Sequence, residues 1–262
     1  MRAVILAAGR GSRMAHLGAD RPKCLVELAG SSLLQRQVAA LRGGGATEIA
    51  VVRGYRADMF DFAGMRYFDN PRWAKTNMVM SLTAAAEWLR SEPVLVSYAD
   101  IFYRGTLISA LAAAPGQLVI TYDRLWRDLW SRRFADPLAD AETFRLAQTG
   151  RLLEIGGKTR DIGDIQGQYM GLLKFTPPAW EAVEELLDAL PDAQRDRLDM
   201  TGLLSRLLAA KRVAIGTVAT EGQWGEIDNP EDVRLYQDMV AAGELTLEPA
   251  ATLTTATKQD AR

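Results

Sequence analysis

The chain has one cysteine, Cys24, and one histidine, His16, among its 262 residues. A single cysteine excludes an intramolecular disulfide framework. Lys23 beside it would favour a thiolate, but the Leu25-Val26 that follow point to a packed, inert thiol. His16 stands in the polar loop before Arg21, where it faces either a phosphate or water. No apolar run approaches about 18 residues and no charged-then-apolar leader opens the chain, so no membrane partner is expected and cytoplasm is the expected compartment. A net charge of −2, from 31 Lys+Arg and 33 Asp+Glu, lacks the basic surplus on which nucleic-acid binding draws, so no nucleic-acid partner is expected either. What remains is an ordinary globular composition, 48% hydrophobic and 24% charged, on a length that fits one domain with a sizeable core and shows no internal repeat.

The most informative stretch is Ala3-Val4-Ile5-Leu6-Ala7-Ala8-Gly9-Arg10-Gly11-Ser12-Arg13-Met14, followed by Arg21-Pro22-Lys23. A continuous apolar run reads as a buried parallel strand, and glycines after it let backbone N–H groups approach an anion without an intervening Cβ. Two commoner glycine loops fail on spacing. A Walker loop needs a lysine and a hydroxyl directly after its last glycine, whereas Gly11 is followed by Ser12-Arg13; a dinucleotide fingerprint needs a third glycine where Met14 stands. The remaining reading is a triphosphate cradle in which Leu6, Ala7, Ala8, Gly9, Gly11 and Ser12 surround the nucleotide and Arg13 and Lys23 supply positive charge. An ordinary basic strand-to-loop turn is the plain alternative.

Strand-like runs at Ala3–Ala7, Ile49–Val52, Val94–Tyr98 and Leu118–Tyr122 alternate with helical periodicity at Leu33–Leu41, stopped by Gly43-Gly44-Gly45, and at Asn77–Leu89. The expected fold class is α/β, a Rossmann-like, mostly parallel mixed sheet sandwiched by helices. After Asp123 the order changes: Thr143–Gln148 and Leu152–Ile155 flank Thr149-Gly150 as a hairpin, and Gln168–Phe175 is another strand. This marks an inserted subdomain over roughly 124–176 within a single domain of 1–248. Trp180–Leu190 and Met200–Ala209 read as helices and Val213–Val218 as a strand. Pro230–Ala242 reads as a last helix capped by Asn229, and 249–262 as a disordered tail.

Phosphoryl transfer needs cations held by hard oxygen ligands, and two acids stand where apolar runs end: Asp100 after Val94–Ala99, and Asp228 in Trp224-Gly225-Glu226-Ile227-Asp228-Asn229-Pro230. Asp100 reads either as a metal ligand or as a helix cap, and Asp228 either as a ligand or as a charge favourable to the following helix dipole. Asn77 and Ser81 suit a cytosine pocket, and Ser97 and Tyr98 close the strand beside it; Asn77 fits equally as a helix cap.

The strand, A-A-G-x-G-x-R and Pro-Lys elements resemble the sugar-nucleotide and small-molecule nucleotidyltransferase superfamily. That resemblance implies attack of an acceptor phosphate on the α-phosphorus of a nucleoside triphosphate, pyrophosphate release, and Mg²⁺ held by Asp100 together with Asp228. The likeness narrows over Thr76-Asn77-Met78, Ser97–Ile101, Trp126–Phe134, Gln168–Leu172, Asp199-Met200-Thr201 and Glu226-Ile227-Asp228. These segments look like the cytidylyltransferases acting on phosphocholine, phosphonates and phosphorylated amino acids, nearest to the phosphonoformate and glutamine-phosphate types. The implied partners are CTP and a small anionic phosphonate or phosphate acceptor. Trp126, Arg127, Arg132, Arg133, Gln168, Tyr169 and Glu226 then stand as acceptor-binding candidates and Lys158 as a further catalytic one. The guanidinium forks of the Trp/Arg block suit phosphonate and carboxylate oxygens, although Arg/Trp at helical spacing also describes a solvated face over a core face. A sugar-1-phosphate uridylyltransferase, a molybdenum-cofactor guanylyltransferase and a non-catalytic nucleotide-binding regulator stand as alternatives. Oligomeric state is left open, a homodimer included.

Overall fold

A computed structural model describes residues 1–11 and 21–256. The expectations for Ser12, Arg13 and His16 lie outside the described residues. Seven strands form the central sheet: β1 (Arg2–Ala7), β2 (Glu48–Arg53), β3 (Arg66–Asp69), β4 (Val94–Tyr98), β5 (Leu118–Asp123), β6 (Gln168–Phe175) and β7 (Ile215–Thr220). Their spatial order is β7-β5-β6-β4-β1-β2-β3. β6 runs antiparallel to both of its neighbours, β4 and β5, and the other pairings are parallel. The expected mostly parallel mixed sheet is thus present, flanked by helices. All six residues of β5 are buried, Thr121 and Asp123 among them, which requires cover on both faces and explains the apolar run Leu118-Val119-Ile120.

The order β3-β2-β1-β4 is that of half a doubly wound sheet. The chain leaves β1 toward β2 on one side while β4 lies on the other, so the carboxyl ends of β1 and β4 frame the switch point where such sheets bind ligands. Gly9 and Gly11 follow β1, and Asp100 follows β4.

Several elements differ from the sequence reading. The helix expected over Asn77–Leu89 is broken into Met78–Leu82, a single 3₁₀ turn at Thr83–Ala85, and Ala86–Ser91. The Thr83 hydroxyl donates back to the Met80 carbonyl at 2.7 Å, a local competitor for helical bonding that bends the chain. β7 begins two residues later than expected because its six residues pair in register with the whole of β5. β3 escaped notice because a four-residue edge strand whose end residues are exposed leaves no apolar run. The hairpin is present as Phe144–Leu146 against Leu152–Ile155.

Of the tail expected to be disordered over 249–262, the part up to residue 256 is instead pinned, and 257–262 lie outside the described residues. The Ala251 N–H donates to the Gln35 carbonyl at 3.0 Å, the Ala63 N–H to Thr254 at 2.9 Å and the Ala256 N–H to Asp61 at 2.9 Å. Its Ala/Thr composition conceals a strap whose Leu247, Ala251 and Leu253 seat against the core.

Candidate active site

A two-residue ribbon assembles the acidic site. Ile101–Phe102 pairs antiparallel with Gly225–Glu226, and the Ile227 N–H donates to the Asp100 carbonyl at 2.9 Å, which lays residues 225–228 alongside the end of β4. From the other side the buried Gln37 side chain, on the helix Leu33–Gly43, donates to the carbonyls of Tyr98 and Ile101 and fixes the turn that carries Asp100. Asp228 stands just before the helix Pro230–Ala241, and its N–H donates to Asp232 Oδ2 at 2.7 Å. The outcome is that carboxylate oxygens of Asp100, Glu226 and Asp228 all lie within 4.8 Å of one another.

Lys23 answers this charge. Its ammonium lies 2.7 Å from Asp100 Oδ2 and 2.7 Å from Asp228 Oδ1. Gly11 makes the approach feasible: it sits at φ +63°, and a Cβ there would come within 3.2 Å of the Lys23 Cβ. Burial works to lower the Lys23 pKa, but the carboxylates of Asp100, Asp228 and Glu226 outweigh it and hold the amine charged. Burial together with the charges of Asp228 and Asp100 pushes the Glu226 carboxyl up to about 8. Asp100 Oδ1 is buried with no hydrogen-bond partner among the described residues. An orphaned carboxylate oxygen within an all-oxygen set, already satisfied in part by a lysine cation, fits a hard divalent ion such as Mg²⁺.

Two cavities meet at this cluster. The first, of about 210 Å³, is lined by Leu6, Ala7, Ala8, Gly9 and Gly11 of the β1 turn and by Trp73, Thr76, Asn77, Ser81 and Tyr98. The second, of about 360 Å³, is lined by Asp140, Glu226 and Asp228, and it shares Gly11, Lys23, Met78, Tyr98 and Asp100 with the first. Buried Asn70 organises one wall: its Nδ2 donates to Thr76 Oγ1 and to Ser81 Oγ, each at 3.0 Å. Asn77 does act as a helix cap, accepting from the Met78 N–H at 2.8 Å, while it also faces the first cavity.

Eight of the ten nucleotide candidates therefore line the first cavity. Ser97 does not: it is 1% exposed, donates to the Tyr98 carbonyl and accepts from the Tyr103 hydroxyl at 3.0 Å. Ser12 lies outside the described residues.

The acceptor candidates fare differently. Trp126–Arg133 forms a helix, and the spacing of Trp126, Leu129, Trp130 and Arg133 puts all four on one face, which is buried. Trp126 belongs to the core and donates to the Ile165 carbonyl at 3.3 Å. Arg127, on the opposite face, donates to the Ile162 carbonyl, and Arg132 pairs with Glu244. Neither arginine lines the two cavities. Arg133 is enclosed, bound to Asp228, Asp232 and Glu226 rather than open to a ligand. Gln168 is satisfied by the neighbouring Tyr169 carbonyl, Tyr169 packs edge-on against Tyr98 at 5.9 Å, and exposed Lys158 donates to the Asp140 carbonyl at 3.4 Å. Glu226 reaches the second cavity, but as a member of the acidic cluster. Gly171, at φ +76°, leaves room for the Tyr98 ring, since a Cβ there would meet that ring at 2.4 Å. Cys24 is buried and its thiol is pushed up by burial, so it is inert.

Sequence reasoning missed Asp140, whose Oδ2 accepts from the Trp130 indole N–H at 3.1 Å. No local signal marks it, because it ends a short turn far in the chain from Asp100, Glu226 and Asp228. Trp73 and Thr76 were missed as well: the Trp73 N–H donates to the Asn70 carbonyl at 3.2 Å and the Thr76 hydroxyl accepts from the Asn70 side chain at 3.0 Å, contacts that no local pattern marks.

No helix among the described residues is long and apolar enough to cross a membrane. Residues 3–197 match the family model described as the MobA-like NTP transferase domain. The CTP:phosphoglutamine cytidylyltransferase of Campylobacter jejuni subsp. jejuni is 35% identical over 90% of this chain and 98% of its own length. The 2-aminoethylphosphonate cytidylyltransferase of Lancefieldella rimae is 24% identical over 89% of this chain and 91% of its own. Among solved structures, the CTP:phosphocholine cytidylyltransferase of Streptococcus pneumoniae superimposes with a TM-score of 0.70 over 91% of this chain and 98% of its own, at 21% identity, which shows the shared fold. With the β1 turn, the paired aspartates and the sheet order all in place, the chain belongs to the MobA-like NTP transferase domain family, with small-molecule cytidylyltransferases among its relatives.

Proposed function

We propose that this protein transfers CMP from CTP to a small phosphate or phosphonate acceptor and releases pyrophosphate. One observation carries the reading: Lys23, held at 2.7 Å from both Asp100 and Asp228, stands where a cavity lined by the β1 turn meets a second, acid-lined one. That is the place for the α-phosphate, with nucleoside on one side and acceptor on the other. In this reading the acceptor oxygen attacks the α-phosphorus and the bond to the β-phosphate breaks as pyrophosphate departs. No protein base is required, because a phosphate or phosphonate oxygen is already ionised at neutral pH. Ser81, oriented by Asn70, and the main chain of residues 6–9 face the base. Lys23, together with Arg13, neutralises the charge that builds on the leaving group. Asp100, Asp228 and Glu226 would hold Mg²⁺, which supplies Lewis-acid stabilisation of phosphate charge when bound. Lys23 must then exchange its carboxylate contacts for phosphate ones.

The acceptor side carries a finer reading. Among the described residues, Asp140, Glu226, Asp100 and Asp228 line the second cavity with Lys23 as the one basic residue. Among these residues a purely anionic acceptor would meet like charge except at Lys23 and the metal. An acceptor with a phosphate or phosphonate at one end and an ammonium group at the other satisfies both ends, with Asp140 facing the ammonium. Relatives named for phosphoglutamine and 2-aminoethylphosphonate agree with this chemistry.

The test is pyrophosphate release with Mg²⁺ across four nucleoside triphosphates and five acceptors: phosphonoformate, 2-aminoethylphosphonate, phosphocholine, glutamine phosphate and a hexose 1-phosphate. CTP-selective release with an amino-bearing acceptor supports the proposal. Release from UTP or GTP with the hexose phosphate contradicts it.

A further inference from the structure

Arg133 is the most enclosed charged side chain beside the cluster, with no exposed side-chain surface. Its guanidinium spans three carboxylates of one short segment. Nη1 lies 3.4 Å from Glu226, Nη2 3.1 Å from Asp228 Oδ2, and Nε 2.9 Å from Asp232 Oδ1, with a further contact from Nη2 to Asp232 Oδ2 at 3.2 Å. The guanidinium also lies over the rings of Trp130, at 4.8 Å, and Phe134, at 5.1 Å. Asp232 closes the other side of this clamp, accepting from the backbone N–H groups of Asp228 at 2.7 Å and Asn229 at 3.2 Å. Asp228 is consequently divided in function. Oδ2 is committed to Arg133, and Oδ1 is left directed at the point where Lys23 stands.

We infer that Arg133 is a positioning residue that fixes the rotamers of Asp228 and Glu226, so that the acidic cluster presents one preset oxygen face to a divalent cation. The inference rests on the proposed metal role of Asp100, Glu226 and Asp228. It follows from the fork: two nitrogens address two different ligand carboxylates while the third holds Asp232, a geometry a lysine cannot reproduce. Charge compensation alone would need only a cation; the observed arrangement also sets direction. Residues that orient metal-holding carboxylates in this way typically change metal affinity or activity about 10–100-fold when altered.

The experiment is Mn²⁺ binding by electron paramagnetic resonance on the full chain, with and without CTP and without acceptor, for wild type, Asp228→Asn, Arg133→Lys and Asp232→Asn. Mg²⁺ activation of pyrophosphate release is measured in parallel. Arg133→Lys keeps the charge and guards against a variant that fails to fold. The expected result is about tenfold or greater weakening of Mn²⁺ binding in Arg133→Lys, an equal rise in the Mg²⁺ needed for half-activation, and a CTP KM at saturating Mg²⁺ that stays at the wild-type value. Asp232→Asn should weaken Mn²⁺ in the same direction, and a variant carrying both Arg133→Lys and Asp232→Asn should fall short of the summed effects. A lower melting temperature in Arg133→Lys with Mn²⁺ binding within twofold of wild type would overturn the inference and leave Arg133 a packing residue. If wild type shows no Mn²⁺ signal that Asp228→Asn removes, the metal reading itself falls, whatever Arg133→Lys does.

Discussion

Replacing Lys23 by methionine removes the one ammonium that bridges Asp100 and Asp228 while keeping most of its packing volume. The side chains of Lys23, Asp100, Asp228 and Glu226 are only 14%, 22%, 12% and 26% exposed, so the three acids would be left close together with little solvent to screen them. Breaking a buried ion pair by deleting one partner costs about 3–5 kcal/mol. Arg133 still compensates Asp228, and Glu226 is able to take up a proton, so a loss of about 2–3 kcal/mol is expected here. For a chain of this size that lowers the melting temperature by about 4–12 °C. A divalent ion can replace the missing ammonium, so Mg²⁺ should restore much of the loss and stabilise Lys23→Met more than it stabilises wild type. Turnover should fall by about 10²–10³ because charge on the departing pyrophosphate loses its partner. Thermal melts of both proteins in EDTA and in excess Mg²⁺ measure the first part. A Lys23→Met protein that melts like wild type in EDTA and gains nothing extra from Mg²⁺ would refute the argument that these acids form one cation site.

Asp100→Asn should fold normally, keep its melting temperature within a few degrees, and lose turnover by about 10²–10³; near-normal turnover in the folded variant would remove Asp100 from the chemistry. Asp140→Asn should raise the KM of an amino-bearing acceptor by about tenfold, the loss of one charge-assisted contact, with the CTP KM unchanged. An equal rise in both constants would place Asp140 in a structural role. In metal-free protein the folded state keeps the Glu226 proton over a window, from its ordinary 4.5 up to about 8, where the unfolded chain has lost it. Stability should therefore fall as pH rises through that window, and Glu226→Gln should flatten the fall. Melting curves in EDTA across this range check it, and identical slopes in the two proteins would contradict the assignment.

What was legible in the sequence and what was not divide along physical lines. β1, β4 and β5 were readable because strands covered on both faces carry runs of consecutive apolar residues, and Asp100 because it follows such a run at the sheet's carboxyl edge. Lys23, Gly11 and Asp228 were legible through the spacing of local motifs and the resemblance they carry. The Trp/Arg block misled because composition reports residue types but not which helix face they occupy: the same spacing puts Trp126 and Arg133 inside and Arg127 and Arg132 outside. Asp140 and Asn70 were invisible for a different reason. Each acts through a partner distant in the chain or through a turn, Trp130 for one and Thr76 and Ser81 for the other, and no periodicity encodes such a contact. The pinned segment up to 256 shows that a small-residue tail can be ordered by docking rather than by its own propensity.

The central claim is that CMP becomes joined to the acceptor's phosphorus group, and ³¹P NMR of a reaction containing CTP, Mg²⁺ and 2-aminoethylphosphonate or glutamine phosphate reads this directly. The account predicts one new pair of mutually coupled phosphorus resonances, from a P–O–P linkage, growing in equal amount with pyrophosphate and absent with Asp100→Asn. Pyrophosphate accompanied by free CMP, or a coupled pair that forms from UTP and a sugar phosphate but not from CTP, would contradict it.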